Sequence, residues 1–266
     1  MLDRFNRKIN YLRISVTDRC NLRCRYCMPD EVFDHKSHDD ILRFEEIQEV
    51  VSVSVSMGID KIRLTGGEPL VRKDVVQLVE MIAAVDGVKD IALTTNGILL
   101  EKYAKPLAEA GLHRVNISLD TLNPEKYAST TGRDQLDKVL TGIEAAKLAG
   151  LSPIKINCVI KANEEEPDAV AVKEYCIKHG LQVRFIEQMD LKTGHFGIVH
   201  GGSGGDCTNC NRLRLTSDGK MKPCLFSDIE YDIREHGIKE AIVLALNAKP
   251  EKGTCSNNNA FYNIGG

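Results

Sequence analysis

Six of the nine cysteines in this 266-residue chain lie in two groups, a distribution that indicates metal or cluster ligation. The first group is Cys20, Cys24 and Cys27, spaced Cys-x3-Cys-x2-Cys. Zinc motifs usually pair two Cys-x2-Cys units or add histidines, and no fourth ligand is nearby. Three thiolates can instead hold three irons of a [4Fe–4S] cube and leave the fourth iron open for a chelating cofactor. A zinc loop, or three unrelated thiols, is the less favoured alternative.

The second group has the spacing Cys-x2-Cys-x13-Cys. Its members are Cys207, Cys210 and Cys224. Three ligands again leave one metal position open, and zinc with a fourth ligand such as Cys255 is the alternative. Arg212 and Arg214 lie between these cysteines. If Asn211–Leu215 is extended, both guanidinium groups point to the same face.

Five further cations lie inside predicted strands. They are Arg13, Lys61, Arg63, Lys155 and Arg184. Parallel strands are usually near-continuous apolar runs, and a buried charge is costly unless it is paired or meets a ligand. Surface ion pairs at the rim of the sheet are the alternative. With Arg212 and Arg214 the set has seven members, which favours a polyanionic substrate whose phosphate oxygens accept bidentate arginine contacts.

Polar residues also end several predicted strands. Thr65-Gly66-Gly67-Glu68-Pro69 ends the second strand, and its glycines permit close approach of another backbone. Thr94 and Asn96 lie at the end of the third strand, and Ser118 ends the fourth. A plain turn and ordinary helix caps are the alternatives for these residues when each is taken alone.

Six β-then-α repeats position these groups. The predicted strands are Leu12–Ser15, Lys61–Leu64, Ile91–Thr94, Arg114–Ser118, Ile154–Ile160 and Val183–Ile186. The predicted helices are Phe44–Met57, Asp74–Ala84, Glu101–Ala110, Leu136–Ala149, Asp168–Lys178 and, after the repeats, Ile233–Ala248. Short links imply a parallel sheet with right-handed crossovers and a ligand site at the carboxyl ends of its strands. Periodicity alone leaves an open doubly wound sheet as an alternative to a partial barrel.

The fold class is therefore α/β, and we expect a partial (βα)6 TIM-like barrel over residues 1–190. A small C-terminal segment with the second cysteine group follows over residues 191–266. Lys192–Asp206 contains Gly-Gly-Ser-Gly-Gly and is typical of a flexible connection. The end, Lys249–Gly266, shows little helical or strand pattern.

The composition restricts the partners and the compartment. A net charge of −3 gives no general attraction to nucleic acid or an anionic membrane. There is no run of about 18 apolar residues and no signal-peptide pattern at the N-terminus. We expect a cytoplasmic protein that binds neither nucleic acid nor membrane, with its thiols reduced.

The first cysteine loop, including Tyr26 before its last cysteine, resembles the signature of the radical S-adenosylmethionine superfamily. The order of further motifs resembles the GTP 3′,8-cyclase family, which begins molybdenum-cofactor synthesis. The matching stretches are Leu12–Cys20, Lys61–Leu70, Leu93–Gly97, Asn116–Asp120, Arg184–Glu187, Cys207–Gly219 and the terminal Gly265-Gly266.

That resemblance implies two [4Fe–4S] clusters, S-adenosylmethionine as cofactor and GTP as substrate. The residues implied to contact S-adenosylmethionine are Tyr26, Gly66, Gly67, Glu68, Asn96, Ser118 and Met189, with Glu68 pairing with the methionyl ammonium. Those implied to hold GTP are Arg13, Lys61, Arg63, Thr94, Lys155, Arg184, Arg212 and Arg214, the last two being the implied catalytic residues. The implied reaction removes the ribose 3′-hydrogen, joins C3′ to guanine C8 and completes the cyclic nucleotide by reduction. The Gly-Gly tail is implied to thread into the site.

The resemblance also implies an electron donor of the flavodoxin or ferredoxin type and a downstream cyclic pyranopterin synthase. A homodimer is one possible oligomeric state. One departure is that only sixteen residues, Leu191–Asp206, separate Met189-Asp190 from Cys207, whereas the family interval is usually several times longer. A substrate other than GTP, as in a peptide-modifying radical enzyme with an auxiliary cluster, is therefore an alternative. A zinc- or cluster-containing binding or sensor protein is the non-enzyme alternative.

Overall fold

The computed structural model describes residues 1–28, 35–258 and 261–264. The strands are β1 Tyr11–Ser15, β2 Lys61–Thr65, β3 Asp90–Thr95, β4 Arg114–Ser118, β5 Lys155–Ile160, β6 Gln182–Glu187, β7 Arg212–Leu215, β8 Lys220–Lys222 and β9 Tyr231–Asp232. The helices are α1 Phe44–Ser56, α2 Val75–Ala83, α3 Leu100–Glu109, α4 Pro124–Thr131, α5 Leu136–Leu148, α6 Pro167–His179, α7 Ile233–His236, α8 Ile238–Asn247 and α9 Phe261–Ile264. A single 3₁₀ turn, Pro69–Val71, follows β2.

The described strands form one sheet in the order β6-β5-β4-β3-β2-β1-β7-β8-β9. Strands β1 to β7 pair in parallel, and β8 and β9 add antiparallel. From β1 to β6 the order follows the chain without reversal. A doubly wound sheet reverses its order at a switch point and so carries helices on both faces, whereas an unreversed order of right-handed crossovers puts all helices on one face. The predicted partial βα barrel is confirmed over the doubly wound alternative.

Alternation within the strands separates the helix-covered core from the inner face. In β1, Leu12 and Ile14 belong to the apolar core, while Arg13 between them is also buried. In β2, Ile62 and Leu64 flank Arg63 in the same way. Because successive strand residues face opposite sides, the arginines of both strands share the inner face of the sheet. The predicted strands are confirmed, and the sheet faces its charged side chains inward.

Four features differ from the sequence-based expectations. Helix α4 was not predicted, although Asn123 caps it by accepting a hydrogen bond from Lys126 N at 2.9 Å and Pro124 occupies its first turn. The predicted helix Ile233–Ala248 is interrupted at Gly237, whose φ of 78° ends α7 before α8 begins. Strands β8 and β9 extend the sheet beyond the predicted set, and α9 gives helical structure to the polar C-terminal stretch.

The connection predicted to be flexible instead packs against the edge of the sheet. Phe185 of β6 and His200 exchange two backbone hydrogen bonds of 3.1 and 3.0 Å. Gly201 lies so close to β6 that a Cβ atom would stand 2.6 Å from Val183 O. Across the described ranges, no helix is long and apolar enough to span a bilayer.

Candidate active site

The first cysteine group lies in a loop directly after β1, at the carboxyl ends of the parallel strands. Cys20, Cys24 and Cys27 are partly buried free thiols. They line a cavity together with predicted cofactor contacts from the same loop and from four other segments. Those contacts are Tyr26, Gly66, Gly67, Asn96, Ser118 and Met189. The structure therefore brings this predicted set together.

Gly66 and Gly67 hold the cysteine loop against the end of β2. Gly67 N donates to Thr17 O at 2.8 Å, and Glu68 N donates to Arg19 O at 2.8 Å. A Cβ atom on Gly66 would lie 2.5 Å from Thr17 O, and one on Gly67 would overlap Arg19 O. Only glycine permits so close a backbone approach here. The pairing of β1 with β2 thus continues into the loop that carries the cysteines.

Glu68 is fully buried and does not line this cavity. Its carboxylate accepts hydrogen bonds from Leu70 N at 3.0 Å, Thr95 Oγ1 at 2.7 Å and Asn96 N at 2.7 Å. Burial raises its pKa to about 7, although these three donors oppose the shift. The structure gives Glu68 the role of joining the ends of β2 and β3 beneath the cavity, and its predicted contact with a methionyl ammonium stays a prediction.

Tyr26 is held by a carboxylate that the sequence placed in the matching stretch Asn116–Asp120 without giving it a role. The Tyr26 hydroxyl donates to Asp120 Oδ2 at 2.8 Å, and Val159 N donates to Asp120 Oδ1 at 2.9 Å. Burial raises the pKa of Asp120, and the two donors oppose that shift. Asp120 therefore fixes the tip of the cysteine loop to β5.

The three thiols fit an iron–sulfur cluster better than a single ion. Burial, and after it the neighbouring Cys20, raises the pKa of Cys27 to about 12, and burial also raises the pKa of Cys20 and Cys24. Such thiols need bound cations to become thiolate ligands. Within the described ranges, no three Cys, His, Asp or Glu side chains are gathered closely enough to hold one metal ion. Cluster ligands are instead spread around a cube of irons.

A second cavity adjoins the first and shares Asn157, Ile186 and Met189 with it. Five predicted substrate-binding cations line it, and all three cysteines of the second group do so too. The five are Arg13, Arg63, Arg184, Arg212 and Arg214. The structure therefore places the predicted cation set and the second cysteine group around one space, next to the first cluster site.

Strand register explains the row of arginines. Arg13 lies opposite Arg63 of β2 on one side and Arg214 of β7 on the other. Tyr11, two residues earlier, lies opposite Arg212. Because β7 is extended as the spacing required, Arg212 and Arg214 share the inner face. One row of the barrel interior thus carries three guanidinium groups side by side.

Three of the arginines that line the second cavity have a buried donor without a partner in the described part of the chain. The buried Nε atoms of Arg63, Arg184 and Arg212 have no hydrogen-bond partner among the described residues. Burial, and then Arg212, lowers the pKa of Arg214 to about 10, and burial followed by Arg63 lowers that of Arg184 to about 10. Buried like charges with unused donors favour an anionic ligand, which satisfies the donors and offsets the repulsion.

Three predicted GTP contacts lie outside this cavity. Thr94 lines the first cavity instead, and its buried hydroxyl has no partner within the described residues. Lys61 and Lys155 are the first residues of β2 and β5 and line neither cavity. Burial, and then Arg184, lowers the pKa of Lys155 to about 8. The contact of these three with GTP stays a prediction.

Cys207, Cys210 and Cys224 are likewise free thiols, and Cys255 does not line their cavity. Burial raises the pKa of Cys210, but Lys249 and Arg212 more than offset this and the net shift is downward. The cations therefore favour a thiolate at Cys210, whereas at Cys224 burial prevails over Lys249 and raises the pKa. A single zinc ion held with Cys255 is not supported, because the described residues contain no three-ligand group around one ion.

Several residues of the site were missed from the sequence. Lys249, Asn157 and Phe196 line the second cavity, although none belongs to a recognisable motif. Arg114 of β4 was also overlooked, and it differs from the cavity arginines because it is paired with Asp90 of β3. The sequence feature that could have indicated this pair is that one strand begins with an aspartate and the next begins with an arginine.

The C-terminal helix α9 lines the first cavity and contacts one arginine of the second. Phe261 lines the first cavity, and Arg214 Nη1 donates to Ile264 O at 3.5 Å. Ile264 is buried in a small apolar cluster with Leu191, Leu225 and Phe226. The predicted threading of Gly265-Gly266 lies outside the described residues.

Comparisons with known proteins agree with this geometry. Residues 14–176 match the Radical SAM superfamily profile, and residues 187–253 match the profile described as Molybdenum Cofactor Synthesis C. The chain is 42% identical to the GTP 3′,8-cyclase of Alkaliphilus oremlandii, covering 95% of this chain and 94% of that protein. It is 43% identical to that of Moorella thermoacetica, covering 88% and 86%.

Solved structures share the fold at low sequence identity. Streptococcus suis SuiB bound to S-adenosylmethionine superposes with a TM-score of 0.71 and 14% identity, over 92% of this chain and 67% of that one. Native anSMEcpe with bound AdoMet gives 0.67 and 19%, over 91% and 81%. The radical SAM profile and the extent of identity to its relatives show that this chain belongs to the GTP 3′,8-cyclase family of radical S-adenosylmethionine enzymes.

Proposed function

We propose that this chain catalyses the conversion of GTP to (8S)-3′,8-cyclo-7,8-dihydroguanosine 5′-triphosphate, the first step of molybdenum-cofactor synthesis. The observation that carries the proposal is the second cavity, where five arginines and the second cysteine group surround one space that adjoins the first cluster site. A triphosphate is the ligand that such a concentration of guanidinium groups favours. The identity to proteins named GTP 3′,8-cyclase supports the same substrate.

In this proposal Cys20, Cys24 and Cys27 hold a [4Fe–4S] cluster, and the cavity beside them holds S-adenosylmethionine. When bound, these cofactors supply the radical chemistry that removes a ribose hydrogen. The chain's own contribution is to bind, orient and exclude water. Ser118, Asn96 and Gly67 line the cofactor cavity, and Met189 stands where the two cavities meet.

In this proposal the five arginines that line the second cavity orient the substrate. Arg13, Arg63 and Arg184 come from strands of the βα core and line the second cavity, and we assign them to the phosphate oxygens. Arg212 and Arg214 extend from β7 toward the second cysteine group, where a [4Fe–4S] cluster would meet the base, and we assign them the catalytic positions. Holding the phosphates at one end and the base at the other fixes which ribose carbon faces the cofactor cavity.

The reaction needs electrons, so we also propose an electron donor of the flavodoxin or ferredoxin type. A cyclic pyranopterin synthase would consume the product. A cytoplasmic location and a homodimer complete the proposal. Contacts of Lys61, Thr94 and Lys155 with GTP, and of Glu68 with S-adenosylmethionine, belong to it as well.

The test is anaerobic turnover of the reconstituted protein with S-adenosylmethionine, a strong reductant and GTP deuterated at C3′. We expect the cyclised nucleotide and 5′-deoxyadenosine that carries deuterium. Arg212→Met should abolish cyclisation while both clusters remain, as measured by iron and sulfide content. Unchanged GTP with deuterium-free 5′-deoxyadenosine would remove GTP as the substrate and leave the superfamily chemistry in place.

A further inference from the structure

Two buried cations from opposite ends of the chain hold the backbone around the second cysteine group. Arg7 lies in the N-terminal segment before β1 and is 8% exposed, and Lys249 follows α8 and is 2% exposed. Neither residue belongs to a motif, and neither was assigned a role from the sequence. Their hydrogen bonds converge on the segments that carry Cys207, Cys210 and Cys224.

Arg7 uses its whole guanidinium group. Nη1 donates to Cys207 O at 2.7 Å and to Glu251 O at 2.9 Å, while Nη2 donates to Pro250 O at 2.7 Å. Nε donates to Asp3 Oδ2 at 2.6 Å, which fixes the orientation of the plane. Cys207 O also accepts from Cys210 N at 3.2 Å. The arginine therefore holds the carbonyl that closes the Cys-x2-Cys turn.

Lys249 acts on the other two cysteines. Its Nζ donates to Arg212 O at 2.7 Å and to Pro223 O at 2.8 Å. Arg212 lies two residues after Cys210, and Pro223 directly precedes Cys224. The ammonium thus joins the start of β7 to the segment leading to the third cysteine. Gly253, four residues later, packs so closely that a Cβ atom would lie 3.1 Å from Cys224 Sγ.

The charge of Arg7 is paired with Asp3, so its part is to hold backbone, whereas the hydrogen bonds of the Lys249 ammonium go to neutral carbonyls, which makes its burial costly. A [4Fe–4S] cluster on three thiolates is anionic, and Lys249, which lines the same cavity as the three cysteines, gains from it the compensation that carbonyl groups alone do not provide. We propose that Arg7 and Lys249 are positioning residues that preorganise the second cysteine group for its cluster. The proposal deepens the proposed function, because it rests on a cluster at this group, but it does not depend on GTP being the substrate.

The experiment isolates the second cluster by making the variants in a protein that lacks the first group, Cys20→Ala/Cys24→Ala/Cys27→Ala. After anaerobic reconstitution this protein should hold about four irons per chain. Arg7→Met and Lys249→Met should each lose more than half of that iron and of the matching Mössbauer signal. The exposed residues Arg4 and Lys252 supply controls, since Arg4→Met and Lys252→Met should retain it.

A reciprocal background, Cys207→Ala/Cys210→Ala/Cys224→Ala, separates positioning from general instability. There Arg7→Met and Lys249→Met should leave the iron of the first cluster unchanged. Full iron in the first background, equal losses in both backgrounds, or no iron in the parent that retains the second group would each overturn the proposal. The experiment measures iron content and not GTP turnover, so these outcomes do not change if GTP is not the substrate.

Discussion

Replacing Arg63 by methionine should stabilise the GTP-free protein and weaken GTP binding at the same time. Arg63 is 7% exposed, and its Nε has no partner among the described residues. Burial lowers its pKa, which means that the folded protein holds this charge at a cost. The cost is tolerated because the same group is available to an anionic ligand.

The magnitude follows from the surroundings of the side chain. Replacing a buried ion by an apolar residue of similar volume is often neutral or stabilising by about 1–4 kcal/mol. The Arg63 guanidinium lies 5.4 Å from the centre of the Tyr11 ring, and losing that cation–π contact costs about 1 kcal/mol. We therefore expect a net gain of about 1–2 kcal/mol, which raises Tm by about 4 °C. Loss of charge-assisted bonds to phosphate, about 2–3 kcal/mol, should weaken GTP binding about 30- to 160-fold.

Arg114→Met is the matched control, because Arg114 is paired with Asp90 and both side chains are partly exposed at 17% and 22%. Removing it leaves Asp90 without its partner, which should cost about 2–3 kcal/mol once the usual loss for a buried pair is reduced for solvent exposure. Anaerobic calorimetry gives both quantities, by thermal unfolding without GTP and by titration with GTP. A fall in Tm for Arg63→Met like that of the control, or an unchanged GTP affinity, would refute the reasoning.

Two further predictions test other parts of the site. Glu68→Gln should lower the free energy of unfolding by about 2 kcal/mol, because the amide NH₂ would face N–H groups such as that of Asn96, which now donate to the carboxylate. An unchanged midpoint of urea unfolding would contradict this. Lys155→Met should stabilise the GTP-free protein at pH 7, where the folded protein carries the lysine charge at a cost. The pKa of Lys155 is lowered from 10.5 to about 8 in the folded protein, so the wild type regains stability as the pH rises between these values. The difference in free energy of unfolding between the variant and the wild type should therefore be smaller at pH 9.5 than at pH 7. A difference that stays constant with pH in urea unfolding would contradict the assignment.

The βα core was predictable because its signals are local. Alternation of strand and helix periods requires only neighbouring residues, and the bounds of the six predicted strands agree with the structure to within one position at every end. The cysteine spacing and the Gly66-Gly67 approach are local in the same sense. Helix α4 also carried a local signal, the Asn123-Pro124 cap, which was not used.

Hydrophobic periodicity does not show which of the strand cations line the second cavity and which lie outside it. Alternation indicates that Lys61 and Arg63 share a face, but the depth of each along the barrel depends on register with the neighbouring strands. Arg63 stands opposite Arg13 in the middle of the strands, whereas Lys61 opens β2 and falls outside both cavities. The roles of Arg7 and Lys249 could not be predicted from the sequence for a different reason, because their hydrogen-bond partners lie up to 244 residues away in the chain.

The short segment before Cys207 raised the question of whether GTP is still the substrate. The segment that remains is nevertheless part of the site. Phe196, Val199 and the glycines from Gly202 line the second cavity, and Ser203 O accepts a hydrogen bond from Arg212. The short segment therefore still forms part of the cavity wall, opposite the arginines that line the same space.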